Sequence, residues 1–467
     1  MAISTDASIR AMLKVYYKDG VENLMFRNSP VLKKIKKERV EGRTQNFSAM
    51  YGRGGAVAAD FLTARNNAST VSKAVEFQVE PGQLFSVYSM NAKEVQASQT
   101  KRGAYMKIAG AKMFAASEAF RKTLAAALYG RGYGEIALYD GTALTADTAV
   151  DISLPNYAVM AIDIGSKLDV KTTLASDVIL ATLDVRAIGG DDPAVPGNTL
   201  VNVVPNKTVT PAATDFVCLA GSTDANNNPA LPVGLAGWLP TDRTDLTPTS
   251  TATFFGVTRG IAPERLAGSF YDGSAVRDAS NNGEKKSLAL QKLIQKCRRM
   301  GSQANLIILN DEDFLELSQE IESTNTYFTQ TSTKESKKAS VGFEKFSASF
   351  STNYIENIVD DPYCPKGRFY VLDDEYIALW SYTNAEKVND GIDGNNPGKQ
   401  DPMEMNGEGK TETPYGLIID DYLNVQSGEA TFNGPAMNVT LQMFGSFVVT
   451  NPSVCGVGLF FGASGIA

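Results

Sequence analysis

The stretch from Asn353 to Trp380, NYIENIVDDPYCPKGRFYVLDDEYIALW, constrains the fold more than any other part of the sequence. Its runs of aromatic and branched aliphatic residues predict three strands of a half-buried sheet. Pro362 and Pro365 predict a turn after the first strand, because proline fixes φ. Asp373 and Asp374 predict a second, tight turn, because aspartate hydrogen-bonds to its own backbone. The stretch therefore predicts strand, turn, strand, turn, strand.

The same stretch also holds most of the residues that could form a chemical site, namely Asp360, Asp361, Cys364, Asp373, Asp374 and Glu375. One hypothesis is a carboxylate-based metal hydrolase that uses Asp360, Asp361 and Glu375. Against it, the sequence contains no histidine, which removes the commonest general base and the commonest transition-metal ligand. We therefore expect no catalytic residue, no cofactor and no metal site, and we expect these side chains to serve the turns.

Cysteine usage and charge limit the compartment and the partners. The four cysteines, at 218, 297, 364 and 455, lie far apart without C-x-x-C spacing, so we expect neither disulfides nor a cysteine zinc site, and a reducing compartment. With 44 Lys and Arg against 52 Asp and Glu, the net charge is −8. Proteins that grip nucleic acid are normally basic, so DNA is expected as a neighbour and not as a ligand.

The length of 467 residues predicts two or three compact units. The beginning of the sequence has no apolar segment typical of a secretory leader. The most apolar run, Val454 to Gly462, is about half of the ~20 residues that a membrane span requires. We therefore expect no membrane association.

The first hundred residues predict a helix and then extended chain. Residues 4–28 have helical spacing of apolar residues and end at Asn28-Ser29-Pro30. The basic segment from Val31 to Arg39 predicts a solvated face or a surface for ion pairs between subunits. Residues 43–92 predict an extended two-stranded loop, with strands at Val75–Val79 and Leu84–Met90. Gly52-Arg53-Gly54-Gly55 is not a phosphate loop, since no Gly-Lys-Ser/Thr follows.

Residues 92–129 give the clearest helical pattern, with an apolar stripe and with basic residues, among them Arg121 and Lys122, on the remaining surface. Residues 133–233 alternate short β-rich runs with turn residues, which predicts a small β-barrel or sandwich. The predicted strands of this region are Val150–Leu154, Lys167–Leu174, Ile179–Ile188, Thr199–Val204 and Phe216–Ala220.

From Gly234 onward the pattern becomes α/β, with a polar surface loop at 383–415. A helix is predicted from Lys285 to Met300, and another from an N-cap at Asn310 or Asp311 to Ile321. The predicted strands are Thr253–Val257, Asn305–Leu309, Gly416–Val425, Met437–Phe444 and Phe447–Val449. A glycine-rich tail is expected to follow them.

Four strings in this order resemble the major capsid proteins of tailed bacteriophages, which share the HK97 fold. The first two are NSPVLKKIKKERVEGRTQNFSAMYGRGGAVA, similar to an arm-to-loop junction, and the segment ending RKTLAAALYGRG, similar to the spine helix and its closing turn. The others are FFGVTRGIAPERLAGSFYDG and DDPYCPKGRFYVLDDEYIALW, the latter similar to a strand pair of the family. The resemblance covers nearly the whole chain.

The resemblance implies an α+β, HK97-like capsid fold with an inserted small β-barrel or sandwich domain. The parts it implies are an N-terminal arm (1–42), an extended E-loop (43–92), the spine helix of the P-domain (93–132), the inserted β-rich domain (133–233), the A-domain (234–345), and the P-domain sheet with its return strands (346–467).

In function, the resemblance implies a non-enzymatic protein that assembles into pentamers and hexamers of an icosahedral head shell around double-stranded DNA. Such a protein is made and assembled in the bacterial host cytoplasm and resides in the virion. Its implied partners are itself, the portal, scaffolding and accessory or decoration proteins, with packaged DNA as a non-specific neighbour. Alternatives are an encapsulin-like compartment shell and a phage tail or baseplate protein.

Residues for contacts between subunits are expected in the arm and the loop, because extended segments cannot bury their apolar side chains within one chain. These candidates are Phe26, Lys33, Lys36, Arg39, Phe47, Tyr51, Arg53, Phe61 and Leu62. Some family members also join subunits by a Lys–Asn isopeptide bond. Lys73 with Asn353 or Asn357 supplies the residue types, but such pairs occur by chance and we expect no bond.

Overall fold

The computed structural model describes residues 30–40, 44–52, 56–67, 73–91, 108–176, 178–224, 227–278, 280–324, 348–350, 353–355, 357–381 and 436–463. Contacts between residues divide the chain into two compact units. The larger contains Ser29–Gly82, Ala125–Trp380 and Ser446–Ala467, and the smaller contains Met1–Asn28, Gln83–Leu124 and Ser381–Gly445. The predicted helix at 4–28, the loop at 383–415 and the strand at 416–425 lie outside the described residues.

The described helices and strands follow in chain order. The helices are α1 (Pro30–Lys34), α2 (Phe61–Asn67), α3 (Ile108–Ala127), α4 (Asn156–Val159), α5 (Leu235–Trp238), α6 (Pro263–Leu266), α7 (Lys286–Arg299) and α8 (Asp311–Thr324). The strands are β1 (Lys36–Arg39), β2 (Gln45–Gly52), β3 (Lys73–Val79), β4 (Gly82–Asn91), β5 (Glu135–Leu138), β6 (Val150–Pro155), β7 (Lys167–Lys171), β8 (Ile179–Asp191), β9 (Asn198–Pro205), β10 (Phe216–Leu219), β11 (Ser269–Asp272), β12 (Leu306–Leu309), β13 (Ala348–Phe350), β14 (Asn353–Ile355), β15 (Asn357–Asp360), β16 (Arg368–Leu372), β17 (Ile377–Ser381), β18 (Ala436–Val449) and β19 (Gly456–Leu459).

A mixed five-stranded sheet in the order β11-β19-β16-β12-β15 lies in the larger unit. Strand β12 runs parallel to β15 and antiparallel to β16, which is antiparallel to β19. Helix α7 covers one face of this sheet with an apolar stripe that includes Leu290, Leu293 and Ile294. This stripe meets Ile307 and Phe369 of the sheet, which accounts for the 3.6-residue apolar period of α7.

The turns and strands predicted from 353 to 380 are confirmed, with the first strand divided into β14 and β15. The expectation of half-buried strands is wrong for β16 and β17, in which every residue is buried. In β16, Phe369 packs toward α7, whereas the Tyr370 ring lies 5.9 Å from the Tyr129 ring on the opposite side. Both faces of β16 are therefore covered by protein.

Within the glycine-rich segment that was expected to be a tail, Gly456–Leu459 forms β19, which lies between β11 and β16. Its glycines permit a close approach of neighbouring side chains. A Cβ at Gly456 would lie 2.6 Å from Cys297 Sγ, and a Cβ at Gly458 would lie 2.3 Å from the Phe369 ring. Glycine is thus required in β19 for packing.

An antiparallel six-stranded sheet, β5-β10-β7-β8-β9-β6, occupies the region predicted to be a β-barrel or sandwich. All five predicted strands are present, and the sixth, β5, was missed. The two outer strands, β5 and β6, are linked by Asp140, whose Oδ2 accepts a hydrogen bond of 2.7 Å from the Ser153 backbone N–H. The sheet encloses its own apolar core. That this region is an inserted domain stays a prediction.

Helix α3 confirms the helix predicted at 92–129 over its described residues, and residues 92–107 lie outside them. That it is the spine helix of a P-domain stays a prediction. At 1.5 Å per residue these 20 residues extend about 30 Å. Arg121 and Lys122 are buried, which contradicts the expected exposed basic surface. The Arg121 guanidinium donates to Glu118 Oε1 at 2.9 Å, and this ion pair compensates the buried charge.

The strand predicted at Thr253–Val257 is a tight turn. Phe254 and Val257 exchange backbone hydrogen bonds of 2.9 and 3.0 Å across two residues with left-handed backbone, Phe255 and Gly256.

Two further elements were not predicted. Helix α2 interrupts the region from 43 to 92, which was expected to be extended, and β11 is a strand that the sequence analysis missed.

In the smaller unit, β4 lies beside the first part of β18, and the rings of Phe85 and Phe444 meet edge to face at 5.7 Å. Strand β18 is continuous where the sequence predicted two strands. Among the described residues, no helix is both long enough and apolar enough to span a bilayer.

We predict that Gly458→Ala lowers the free energy of unfolding by about 1–3 kcal/mol, because the new methyl group overlaps the buried Phe369 ring, which is stacked on Phe460. Urea titration followed by circular dichroism measures this change. In the control, Gly190→Ala, a Cβ meets no atom within 4 Å, and the free energy should stay within about 0.5 kcal/mol of the original. Equal stability of the two variants would contradict the required close packing.

Candidate functional site

The hairpin of β2 and β3 together with α2, which lies between these strands in sequence, carries four of the seven described residues that the sequence nominates for contacts. The two strands pair antiparallel from Gln45 opposite Val79 to Gly52 opposite Lys73, with a bulge after Met50. Side chains of β2 alternate, so that Phe47 is half-buried and Met50 is exposed. The hairpin therefore has one face on its own chain and one face outward.

Aromatic rings hold the base of this hairpin, and we call Phe47, Phe77, Trp238 and Trp380 the aromatic anchor. The Phe47 ring stacks on Phe77 at 5.1 Å and lies 5.9 Å from each of Trp238 and Trp380. Phe77 is completely buried, and its ring lies 5.4 Å from Trp238. The sequence predicted that Phe47 could not be buried within one chain, whereas its ring is half-buried against aromatic rings of that chain.

Polar contacts fix the surroundings of the anchor. The Trp238 Nε1–H donates to the Phe447 carbonyl at 2.7 Å. Arg259 donates to the carbonyl oxygens of Gly237 and Trp238 at 2.9 and 3.0 Å, and its guanidinium lies 4.1 Å from the centre of the Phe254 ring. Burial lowers the pKa of Arg259 to about 9, so the side chain keeps its charge at neutral pH. These contacts make the base of the hairpin a fixed part of the larger unit.

Large apolar side chains are exposed on the segment that begins at the end of β2 and continues into α2. We call Met50, Val57, Phe61 and Leu62 the loop apolar surface, with exposed fractions of 68%, 102%, 76% and 60%. Helix α2 buries none of its residues. Exposed large apolar side chains that lie close together in sequence are candidates for a protein interface.

A local cap holds α2 without help from a core. Asp60 Oδ2 accepts hydrogen bonds from the backbone N–H and the hydroxyl of Thr63, at 2.9 and 3.0 Å. These two hydrogen bonds lower the pKa of Asp60, because they favour the ionised carboxylate. An aspartate N-cap of this kind satisfies a free N–H of the first helical turn. The sequence therefore encodes a short helix that displays Phe61 and Leu62.

The predicted contact residues do not all lie in one place. Tyr51, Phe61 and Leu62 lie on the hairpin or the helix beside it, whereas Lys36 is exposed at the start of β1. Lys33 and Arg39 lie in α1 and β1, and Phe26 and Arg53 lie outside the described residues. Sequence reasoning missed Met50 and Val57. The period-2 spacing from Phe47 could have placed Met50 on the outer face.

The three acidic residues of the hydrolase hypothesis differ in burial and in hydrogen bonding. Asp361 is completely buried, and its oxygens accept from the Tyr129 hydroxyl at 2.9 Å and from the Tyr363 N–H at 3.1 Å. Asp360 and Glu375 are exposed. Within the described ranges, no group of three or more Cys, Asp and Glu side chains could hold a metal ion. Through these two hydrogen bonds, Asp361 stabilises the turn between β15 and β16.

Comparison with known proteins identifies the fold. No protein-family model and no curated protein matches the sequence. A chain of the cyanophage A-1(L) capsid asymmetric unit aligns with a TM-score of 0.54 and 14% identity, over 97% of this chain and 98% of that one. The chain has the HK97-like capsid fold.

Two weaker likenesses accompany this match, and no conclusion rests on them. The capsid of a native GTA particle gives a TM-score of 0.44 and 7% identity, over 97% of this chain and 96% of that chain. The SrpI encapsulin complex of Synechococcus elongatus PCC 7942 gives a TM-score of 0.42 and 7% identity, over 98% and 96% of the two chains.

We expect Phe77→Ala to lower the free energy of unfolding by about 3–5 kcal/mol, because it removes a fully buried ring from the aromatic anchor. Limited proteolysis should also cut residues 56–67 faster, because the base of the hairpin loosens. Chemical denaturation and mass spectrometry of the fragments provide the two readouts. Phe61→Ala is the matched control, since this ring is exposed. A Phe77→Ala variant as stable as the control would show that the anchor is unimportant.

The four cysteines give a pH-dependent prediction. All are free and buried, and burial raises the pKa of Cys218, Cys297 and Cys455 to about 12 and that of Cys364 well above its usual value. The thiols therefore stay protonated and unreactive at mildly alkaline pH. Ellman titration should detect no thiol in the native protein and all four after denaturation. A rapidly reacting native thiol would contradict the burial.

Proposed function

We propose that this chain is the major capsid protein of a tailed phage and that it assembles into the pentamers and hexamers of an icosahedral head shell. The observation that carries the proposal is the loop apolar surface, displayed on a hairpin with a buried base in a chain that has a capsid fold. The match to the cyanophage capsid chain over nearly the full length of both chains supports the proposal.

The energetics suit association with further copies. Complete burial of one large apolar side chain contributes about 1.5–3 kcal/mol. Met50, Val57, Phe61 and Leu62 are each more than half exposed, so their burial against a neighbour stabilises each contact by several times RT. In a ring, the loop apolar surface of each copy contacts a different surface of the next copy. Such heterologous contacts close into a ring around the symmetry axis. Five or six modest contacts thus support one closed ring.

The remaining parts of the proposal concern partners and place. Portal, scaffolding and accessory or decoration proteins contact the shell, and double-stranded DNA is packaged inside it. The net charge of −8 suits a wall that confines DNA without binding it tightly. The protein is made in the bacterial host cytoplasm and resides in the virion. It acts as a structural protein, and no catalytic role is assigned to any of its residues.

The double variant Phe61→Ser with Leu62→Ser tests the proposal. We expect the purified wild-type protein to form pentamers, hexamers or closed particles, and the variant to remain mostly monomeric, because two exposed apolar contacts are lost. Circular dichroism should be unchanged, because α2 buries none of its residues. Sedimentation velocity and negative-stain microscopy measure assembly.

Ile164→Ser provides the matched control. Ile164 is 65% exposed and lies between α4 and β7, remote in sequence from the loop apolar surface, so assembly should persist. Wild-type protein that stays monomeric at high concentration would overturn the proposed function. Open tubes or stacked rings in place of closed particles would instead favour a tail or baseplate protein.

A further inference from the structure

A groove with a volume of about 740 Å³ lies beside the outer part of β2 in the larger unit. Its walls come from β2, from the end of α7 and from the turn at residues 450–453. Arg265 and Arg299 are its charged lining residues, and no carboxylate of the described residues lines it. Met50 and Met300 supply apolar lining. The groove therefore combines two cations with flexible apolar side chains.

The two arginines keep donors available in the groove. Arg265 is exposed and donates to the Tyr51 carbonyl oxygen, which uses only part of a guanidinium that has five N–H donors. Arg299 is exposed, and the described residues provide no ion pair for it. The neighbouring Lys296 is already paired with Glu264, at 2.8 Å. A ligand with carboxylates would thus meet uncompensated positive charge.

We propose that this groove binds carboxylate side chains of a second copy of the chain. The inference rests on the proposed function and adds a polar contact to it. With 52 acidic against 44 basic residues, each copy carries a surplus of carboxylates. Guanidinium groups bind carboxylates through paired, charge-assisted hydrogen bonds, which fix orientation as well as add affinity.

Continuity with the loop apolar surface favours a second copy over another partner. Met50 belongs to both surfaces, because it lines the groove and is 68% exposed. A copy seated on the loop apolar surface would therefore extend over the groove. Nucleic acid fits less well, because the described residues place two cations in the groove and the chain as a whole has a net charge of −8.

Charge reversal of one groove residue provides the first test. We expect Arg299→Glu to raise the protein concentration needed for half-maximal assembly by about tenfold or more at low salt. The thermal midpoint of the unassembled protein should not change, since Arg299 is exposed and the described residues provide no ion pair for it. The control Arg186→Glu makes the same charge change at an exposed position of β8 and should assemble as wild type. Light scattering over a dilution series measures both.

A cross-linking experiment identifies the partner directly. The variant Arg299→Lys keeps the positive charge and introduces an amine, which a carbodiimide couples to a contacting carboxylate as an amide. Assembled particles are made from equal amounts of unlabelled and ¹⁵N-labelled copies. Mass spectrometry should then find mixed-label peptides that join the introduced amine to an aspartate or glutamate of another copy. Cross-links within one copy alone, or none, would overturn the inference.

The outcomes separate this inference from the proposed function. If wild type and Arg186→Glu assemble and Arg299→Glu assembles equally well, the groove has no role and the shell proposal stands. If wild type never assembles, the shell proposal fails and the inference fails with it. If a short DNA duplex binds wild type but not Arg299→Glu while assembly is unchanged, the groove binds phosphate, and a second copy is the wrong occupant.

Discussion

The packing of the Trp238 indole is the interaction on which the arrangement of the larger unit depends. It brings together the hairpin through Phe47 and Phe77, the tight turn through Phe254 and Phe255, and β18 through the Phe447 carbonyl. These segments are far apart in sequence. The cluster buries most of its ring surface while the single indole N–H finds a carbonyl partner, which avoids the cost of an unpaired buried donor.

Segments with a clear local pattern were predictable from the sequence. Helix α7 has a 3.6-residue apolar period, the strands from 150 to 220 are β-rich runs between turn residues, and β12 is a continuous apolar run. Predictions failed where packing overrides local preference. Gly456 and Gly458 weaken a strand by propensity, yet only glycine leaves room for Cys297 and Phe369. The turn at Phe255 was read as a strand because aromatic residues favour strands, although two left-handed residues reverse the chain there.

The candidate site was predictable only in part. Phe61 and Leu62 were nominated because an extended segment cannot bury them, and both are exposed. Phe47 was nominated by the same reasoning, but Trp238 and Trp380 cover its ring. The groove could not be foreseen, because Met50, Arg265 and Arg299 are separated by long stretches of sequence. Only the folded chain places these side chains around one space.

The aromatic anchor has a consequence for the thermodynamics of association. A flexible segment that folds on its partner must lose its conformational freedom at that moment, and this loss weakens binding. Here the strand pairing of the hairpin, the stacked rings at its base and the Asp60 cap are present in the single chain. The ordering entropy of these parts is therefore lost during folding, so the hairpin is preorganised for the association proposed above.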